Sequence, residues 1–431
     1  MTLSWFSIVR LGLVQLCLGA IVVLTTSTLN RLMVVELSMP AVLPGLLVGL
    51  HYGIQITRPT WGYRSDMGGR RTRFIILGMA CLGLGGFLAA AGMVMMQSSF
   101  AAGLGISILA YALIGIGVGA SGTSLLALLA TTTHPRRRAA AATITWLMMI
   151  FGIAVTATVV GKYLDPYSHA LLLKLVAIVC AGAFALTCVA IAGIEAHHVP
   201  DATPQLRPLP FRIGIAEVWA EPRARNFTLF VFLSMTAYFM QELILEPYAG
   251  FAFAFTPGQS TQLSGAQNGG VFVGMLLVGI AATGLQIGSL RTWVTLGCLG
   301  STAALVTIAM AGQMPDGGQI LLPATIALGL FNGMFAVAAI GSMMALAGEG
   351  RSTREGTRMG LWGASQAIAA GFGGLMGAGA VDLIRLLTDA PTAFGIVFMA
   401  EAALFGLAAL LAWHVIDGAA LTPTNSLVPG E

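Results

Sequence analysis

The sequence predicts an all-α integral membrane protein of twelve transmembrane helices in two pseudo-symmetric halves of six. Three observations carry this: an apolar composition, a regular succession of long apolar runs, and a repeat at half the chain length. Of 431 residues 57% are hydrophobic and only 9% charged, with a mean hydropathy of +0.87. Soluble domains carry about 25% charged residues, so the chain belongs in a bilayer.

Apolar runs bounded by charge, proline or glycine predict spans near 10–29, 41–60, 74–97, 103–131, 140–161 and 170–194. Six more follow near 226–247, 262–286, 292–313, 319–347, 358–386 and 392–416. Each is close to the ~20 residues a bilayer crossing needs. The N-terminus shows no A-x-A cleavage pattern and is expected to enter the first span directly. Residues 1–194 form the expected N-terminal half and 226–417 the C-terminal half. Between them, 195–225 is polar, with four prolines before Phe211, and predicts a linker. Its Phe211, Ile213, Ile215, Val218 and Trp219 suit a short helix lying in the interface. Residues 418–431 are expected to be a disordered tail.

Lysine and arginine set the orientation. With both termini inside, 17 of the 21 basic residues fall on the cytoplasmic side and only Arg31, Lys162, Lys174 and Arg385 on the other. Two lysines in the whole chain exclude a nucleic-acid patch. The five cysteines lie in apolar runs without C-x-x-C spacing, so neither zinc nor a disulfide framework is implied. The 55 glycines suit close helix packing in lipid.

A shift of 216 positions lays Gly49 on Gly265, Gly53 on Gly269, Gly117 on Gly333, Arg138 on Arg354, Trp146 on Trp362 and Gly161 on Gly377. The Arg and Trp pairs, each at one distance after a basic loop, carry most weight. Two six-span halves so related are the arrangement of a major facilitator fold, with a site expected between them near the midplane. Between spans two and three, Gly62, Asp66, Gly69, Arg70 and Arg71 fit G-x-x-x-D-x-x-G-R-R. This resembles the loop motif of the major facilitator superfamily, and a carboxylate among glycines and arginines suits a latch between helix ends. Plain topology also explains arginines in such a loop. The matching loop of the second half keeps Gly284, Gly288 and Arg291 without an acid, so any latch is one-sided.

The run "TLNRLMVVELSMPA", followed by a span and then "RPTWGYRSD", resembles the bacteriochlorophyll delivery family of that superfamily, the PucC- and LhaA-like light-harvesting assembly proteins. The likeness is strongest over 10–75, and the short gap after Asp66 makes this chain a shorter sibling. The resemblance implies a non-enzymatic protein of the bacterial inner, intracytoplasmic photosynthetic membrane. It would bind and deliver bacteriochlorophyll a, or a geranylgeranylated or chlorophyllide precursor. Implied partners are lipid and antenna or reaction-centre polypeptides or pigment-synthesis enzymes.

A magnesium tetrapyrrole takes one axial ligand. Of six histidines only His51 lies well inside an expected span, with Gln55 one turn along the same face. His51 is therefore the candidate ligand to pigment magnesium; hydrogen bonding to a neighbouring helix is the other reading. His134, His169, His197, His198 and His414 fall in loops or at span ends. Trp146, Asn332 and Gln366 join His51 and Gln55 as candidate pigment or substrate contacts, though Trp146 and Trp362 also suit interface anchors.

Glu242 and Glu246, one turn apart in span seven, repel unless a proton or cation is near. The repeat places Arg31 beside them, predicting an ion pair; proton coupling and plain solvation remain open. Glu36, five residues from Arg31, is expected off its helix face. Asn268 and Glu401 intrude on other spans, and Glu401 needs pairing, a proton, or contact with water, a partner or lipid. Two functions from different classes follow: a pigment carrier and assembly factor, or a proton-coupled transporter of a small metabolite. No nucleotide loop, metal motif or paired nucleophile and base points to an enzyme.

Overall fold

A computed structural model describes residues 3–58, 61, 71–133, 138–195, 219–285, 287–348 and 355–416. The described chain is helical, and eleven of its helices are long and apolar enough to cross a membrane. In chain order they are α1 (Trp5–Glu36), the shorter α2 (Val42–Thr57), α3 (Arg71–Met95), α4 (Phe100–Thr132), α5 (Arg138–Tyr163) and α6 (His169–Ile191). The second half continues with α7 (Pro222–Phe253), α8 (Pro257–Val278), α9 (Leu290–Ala311), α10 (Gly317–Gly348), α11 (Glu355–Ile384) and α12 (Ala390–Val415). The α1–α2, α3–α4, α5–α6, α7–α8, α9–α10 and α11–α12 turns lie on the face away from Trp5 and Val415, called distal below.

Polar residues at the turns start these helices. Ser4, Ser168, Ser289 and Asp389 each accept a backbone N–H of the first turn through their side chains. Thr256 and Gln259 form a reciprocal capping box with Pro257 at the first helical position of α8. On the face shared with the chain ends, Glu195 accepts the amides of Arg71 and Thr72 at 2.7 and 3.1 Å, capping α3. Arg10 donates to the Ala190 and Ala192 carbonyls at the end of α6.

Two span expectations change. The run "TTSTLNR" reads as the end of span one because it lowers local hydropathy, yet α1 continues through it for 32 residues. Its polar side chains turn into the protein, not into lipid: Thr25, Thr26, Ser27, Thr28, Asn30 and Arg31 are all buried. Conversely α2 has only sixteen residues, about 24 Å at 1.5 Å per residue, short of a ~30 Å hydrocarbon core.

One large apolar core gathers α1–α6 and another α7–α12. Close backbone approach holds helices together where lipid removes the hydrophobic drive. A Cβ added at Gly117 of α4 would come 2.6 Å from the Leu82 amide of α3, and one at Gly333 of α10 would come 2.1 Å from the Val271 carbonyl of α8. The halves meet through α1 with α7, α2 with α11, and α5 with α8. At the last of these, Trp146, Ile150, Val271 and Met275 pack together and Phe151 meets Phe272.

Trp362, read as an interface anchor, is instead sealed between α11 and α7. Its indole donates to Thr228 at 3.1 Å and its ring meets Phe227 edge-on. Glu401 faces neither partner nor lipid; it is fully buried within the second half, with no hydrogen-bond partner on either oxygen. Gly62, Asp66, Gly69 and Arg70 lie outside the described residues, as do 196–218 and 417–431. Arg71 of the loop motif opens α3 and donates to the Ala127 carbonyl of α4 at 2.6 Å.

Candidate functional site: a polar seam between the halves

The polar stretch of α1 is laid open by its backbone. Leu24–Thr28 and Leu32–Glu36 are π-helical turns, a feature frequent at functional sites. Tyr111 of α4 donates to the Thr25 carbonyl at 2.7 Å, holding the first π turn from behind. Successive side chains of α1 then reach across to the second half. Ser27 donates to Glu246 of α7 and meets Ser264 of α8 at 2.9 Å. Thr261 of α8 meets Thr28 at 3.3 Å, and the Asn30 amide donates to the Leu243 carbonyl at 2.7 Å.

Thr26 and Tyr52, from α1 and α2, are the side chains that approach Glu242. Three helices from both halves, α1, α2 and α8, thus converge on the two acids of α7. Glu246 is 2% exposed and its second oxygen has no partner; the Asn30 side-chain carbonyl beside it also has none. A buried acceptor without a donor is costly, so this seam can take a proton, a water or a hydrogen-bonding ligand.

The expected ion pair of Arg31 with Glu242 or Glu246 is replaced by another. Arg31, 2% exposed, pairs with Glu36 at 2.5 Å and donates to the Phe255 carbonyl at 2.7 Å. Five residues would separate the pair on an α-helix, but the Leu32–Glu36 π turn bonds i to i+5 and brings Glu36 under Arg31. Glu246 accepts from Ser27 where the repeat had placed Arg31.

His51 and Gln55 are together and buried, as their spacing implies, and Arg58 extends the chain. Arg58 donates to the Gln55 carbonyl oxygen, and the Gln55 amide lies 2.9 Å from Nε2 of His51. Because guanidinium only donates, it fixes the Gln55 orientation. The amide nitrogen then faces His51, so Nε2 accepts and the ring proton sits on Nδ1. Nδ1 is buried without a partner. His51 therefore presents an N–H donor, and its lone pair is engaged by Gln55.

The other candidates are dispersed. Trp146 stands in the α5–α8 contact and Gln366 is half-buried on α11. Asn332 accepts from Ser301 at 2.8 Å inside the second-half core, away from the seam. Asn268 donates to the Ser264 carbonyl at 3.0 Å, at the seam's edge on α8. His414 meets its own helix at the Leu410 carbonyl, and His169 packs its ring on Tyr167. Sequence reasoning passed over the hydroxyls of α1 and α8; the signal was "TTST" at one α-turn before Asn30, opposite the Ser260, Thr261 and Ser264 spacing of α8.

Comparison with solved structures gives the fold. A peptide transporter superposes with TM-score 0.70 at 14% identity, covering 97% of this chain and 98% of that one. The nucleoside transporter NupG does so with TM-score 0.69 at 15%, covering 95% and 99%. These likenesses establish a major facilitator architecture. Among curated relatives, the "Bacteriochlorophyll synthase 44.5 kDa chain" of Rhodobacter capsulatus is 66% identical over 98% of this chain and 99% of its own length. "Protein PucC" of Cereibacter sphaeroides is 28% identical, over 89% and 84%. A family described as "PUCC protein" matches residues 28–420, nearly the entire helical bundle, and the chain belongs to that family.

Proposed function

We propose that this multi-pass membrane protein serves pigment handling in photosynthetic membranes, as a carrier that holds bacteriochlorophyll or a precursor and delivers it during assembly of light-harvesting or reaction-centre complexes. The observation that carries this reading is end-to-end identity of 66% with a chain named for bacteriochlorophyll synthesis, together with membership of the PucC family. In this chain the seam's acids and hydroxyls join helices of the two halves, which suits a carrier. Both termini are assigned to the cytoplasm by the 17 to 4 split of basic residues. Residues 1–194 and 226–417 are taken as the moving halves, 195–225 as their linker and 62–71 as a latch on that side.

The pigment fits one part of the site and not another. With Nε2 of His51 engaged by Gln55, axial ligation of magnesium does not fit this arrangement. The unpartnered Nδ1–H instead suits a carbonyl acceptor such as the pigment's periphery carries. Trp146 and Gln366 remain candidate contacts on the cross-half helices. When bound, the pigment supplies light absorption, which makes the test direct. Purified from a pigment-making host, the protein is expected to show Soret and near-infrared bands; a folded preparation without them overturns the reading. His51→Leu is expected to lower bound pigment severalfold, whereas His51→Asn, which keeps a donor near the Nδ1 position, retains most of it. Unchanged pigment in His51→Leu removes His51 from the site.

A second reading, proton-coupled transport of a small metabolite, is favoured by the unpartnered buried oxygen of Glu246. Under it, Glu242→Gln with Glu246→Gln abolishes proton-driven uptake in vesicles and leaves pigment content irrelevant.

A further inference from the structure

Two aspartates that no motif singled out hold the halves together on the distal face. Asp382, in the last turn of α11, accepts the amides of Ala41 and Val42 at the start of α2, at 2.9 and 2.7 Å. Asp165, just past the end of α5, accepts the Gly258 amide at 3.1 Å and the Thr256 hydroxyl at 2.5 Å at the start of α8. In each case an acid from one half caps a helix N-terminus of the other. The first cap runs from the second half to the first, and the second runs from the first half to the second.

The two are related by the internal repeat. Ala41 and Val42 advanced by 216 positions are Pro257 and Gly258, and Asp165 so advanced is one residue from Asp382. Glycines allow the Asp165 approach, while the Asp382 approach leaves room for a side chain. A Cβ on Gly258 would sit 2.4 Å from Asp165, and one on Gly161 would sit 2.7 Å from the Gly258 carbonyl. At the other cap, a Cβ on Gly45 would lie 3.4 Å from Ala378. A carboxylate on the positive end of a helix, taking two hydrogen bonds, is favourable in both electrostatics and geometry. Neither bond survives if the halves part at this face, because each acid and its helix belong to different halves.

We infer that Asp165 and Asp382 form a paired clasp that keeps the distal face closed, and that opening this face requires both caps to release. This holds whatever the cargo is, so it stands or falls apart from the pigment reading. The halves rock as units in folds of this kind, and a two-point closure resists both hinge directions where one point would leave a pivot.

Spin labels at Gln97 and Met314, exposed distal positions in opposite halves, read the closure when Cys81 and Cys188 are replaced by serine. The parent is expected to give one short distance population in lipid nanodiscs. Asp165→Ala with Asp382→Ala adds a longer population, and each single change adds less. Asp389→Ala, which removes a cap made wholly within α12, adds none. An unchanged distribution in a monodisperse double variant overturns the clasp, as does equal opening by Asp389→Ala. If the alanine pair fails to fold, the two single variants are read alone, and no longer population in either Asp165→Ala or Asp382→Ala overturns the proposal.

Discussion

At the residue scale the Arg31–Glu36 pair is lopsided. Arg31 is 2% exposed and Glu36 36%, so the two partners do not cost the same to lose. Glu36→Gln strands a buried cation, and removing one partner of a buried pair costs about 3–5 kcal/mol. Arg31→Gln leaves Glu36 with access to water and is expected to cost about 1–2 kcal/mol, mostly from the hydrogen bonds it gives up. Thermal unfolding of the two variants in one detergent checks the order; a larger loss for Arg31→Gln contradicts it. The Gln55 side chain offers a second test. Under the proposed function, Gln55→Ala frees the His51 proton to move to Nε2 and is expected to lower bound pigment, read as pigment absorbance per protein. The sequence placed His51 and Gln55 on one face correctly through helical spacing, but the ring's proton is set by Arg58, and hydrogen-bond direction has no periodicity to read.

Among the helices, glycine is where sequence and structure part company. The repeat pairs Gly117 with Gly333 and Gly49 with Gly265, as though the members of a pair were equivalent. Gly117 and Gly333 are both closed in, but a Cβ at Gly265 would meet Thr158 at 2.4 Å whereas its counterpart Gly49 has nothing within 4 Å; Gly53 is equally open, and a Cβ at Gly329 would meet a carbonyl at 2.0 Å. Gly329→Ala and Gly333→Ala should therefore force α8 and α10 apart at about 1–3 kcal/mol each. Gly49→Ala and Gly53→Ala should be neutral or slightly stabilising through helix propensity. Expression yield and unfolding midpoint separate the two sets. The cap of α3 is also open to test. Glu195→Ala leaves the Arg71 and Thr72 amides bare and is expected to cost about 0.5–2 kcal/mol.

For the whole molecule, composition was enough to place the chain in a bilayer, and the apolar runs located nearly every helix, because a spanning helix must be both long and dry. Families share such patterns, so the run over 10–75 by itself points to the PucC family. Tertiary structure decided which polar residues meet. The buried Ser and Thr of α1 looked like a span ending, Glu36 looked off-face, and Asp165 and Asp382 belonged to no motif. Each gained its role from a partner at least 91 positions away or from a π turn. Hydropathy and spacing report how one helix meets lipid; they carry no record of how two halves turn toward each other, and the seam and clasp exist only between them.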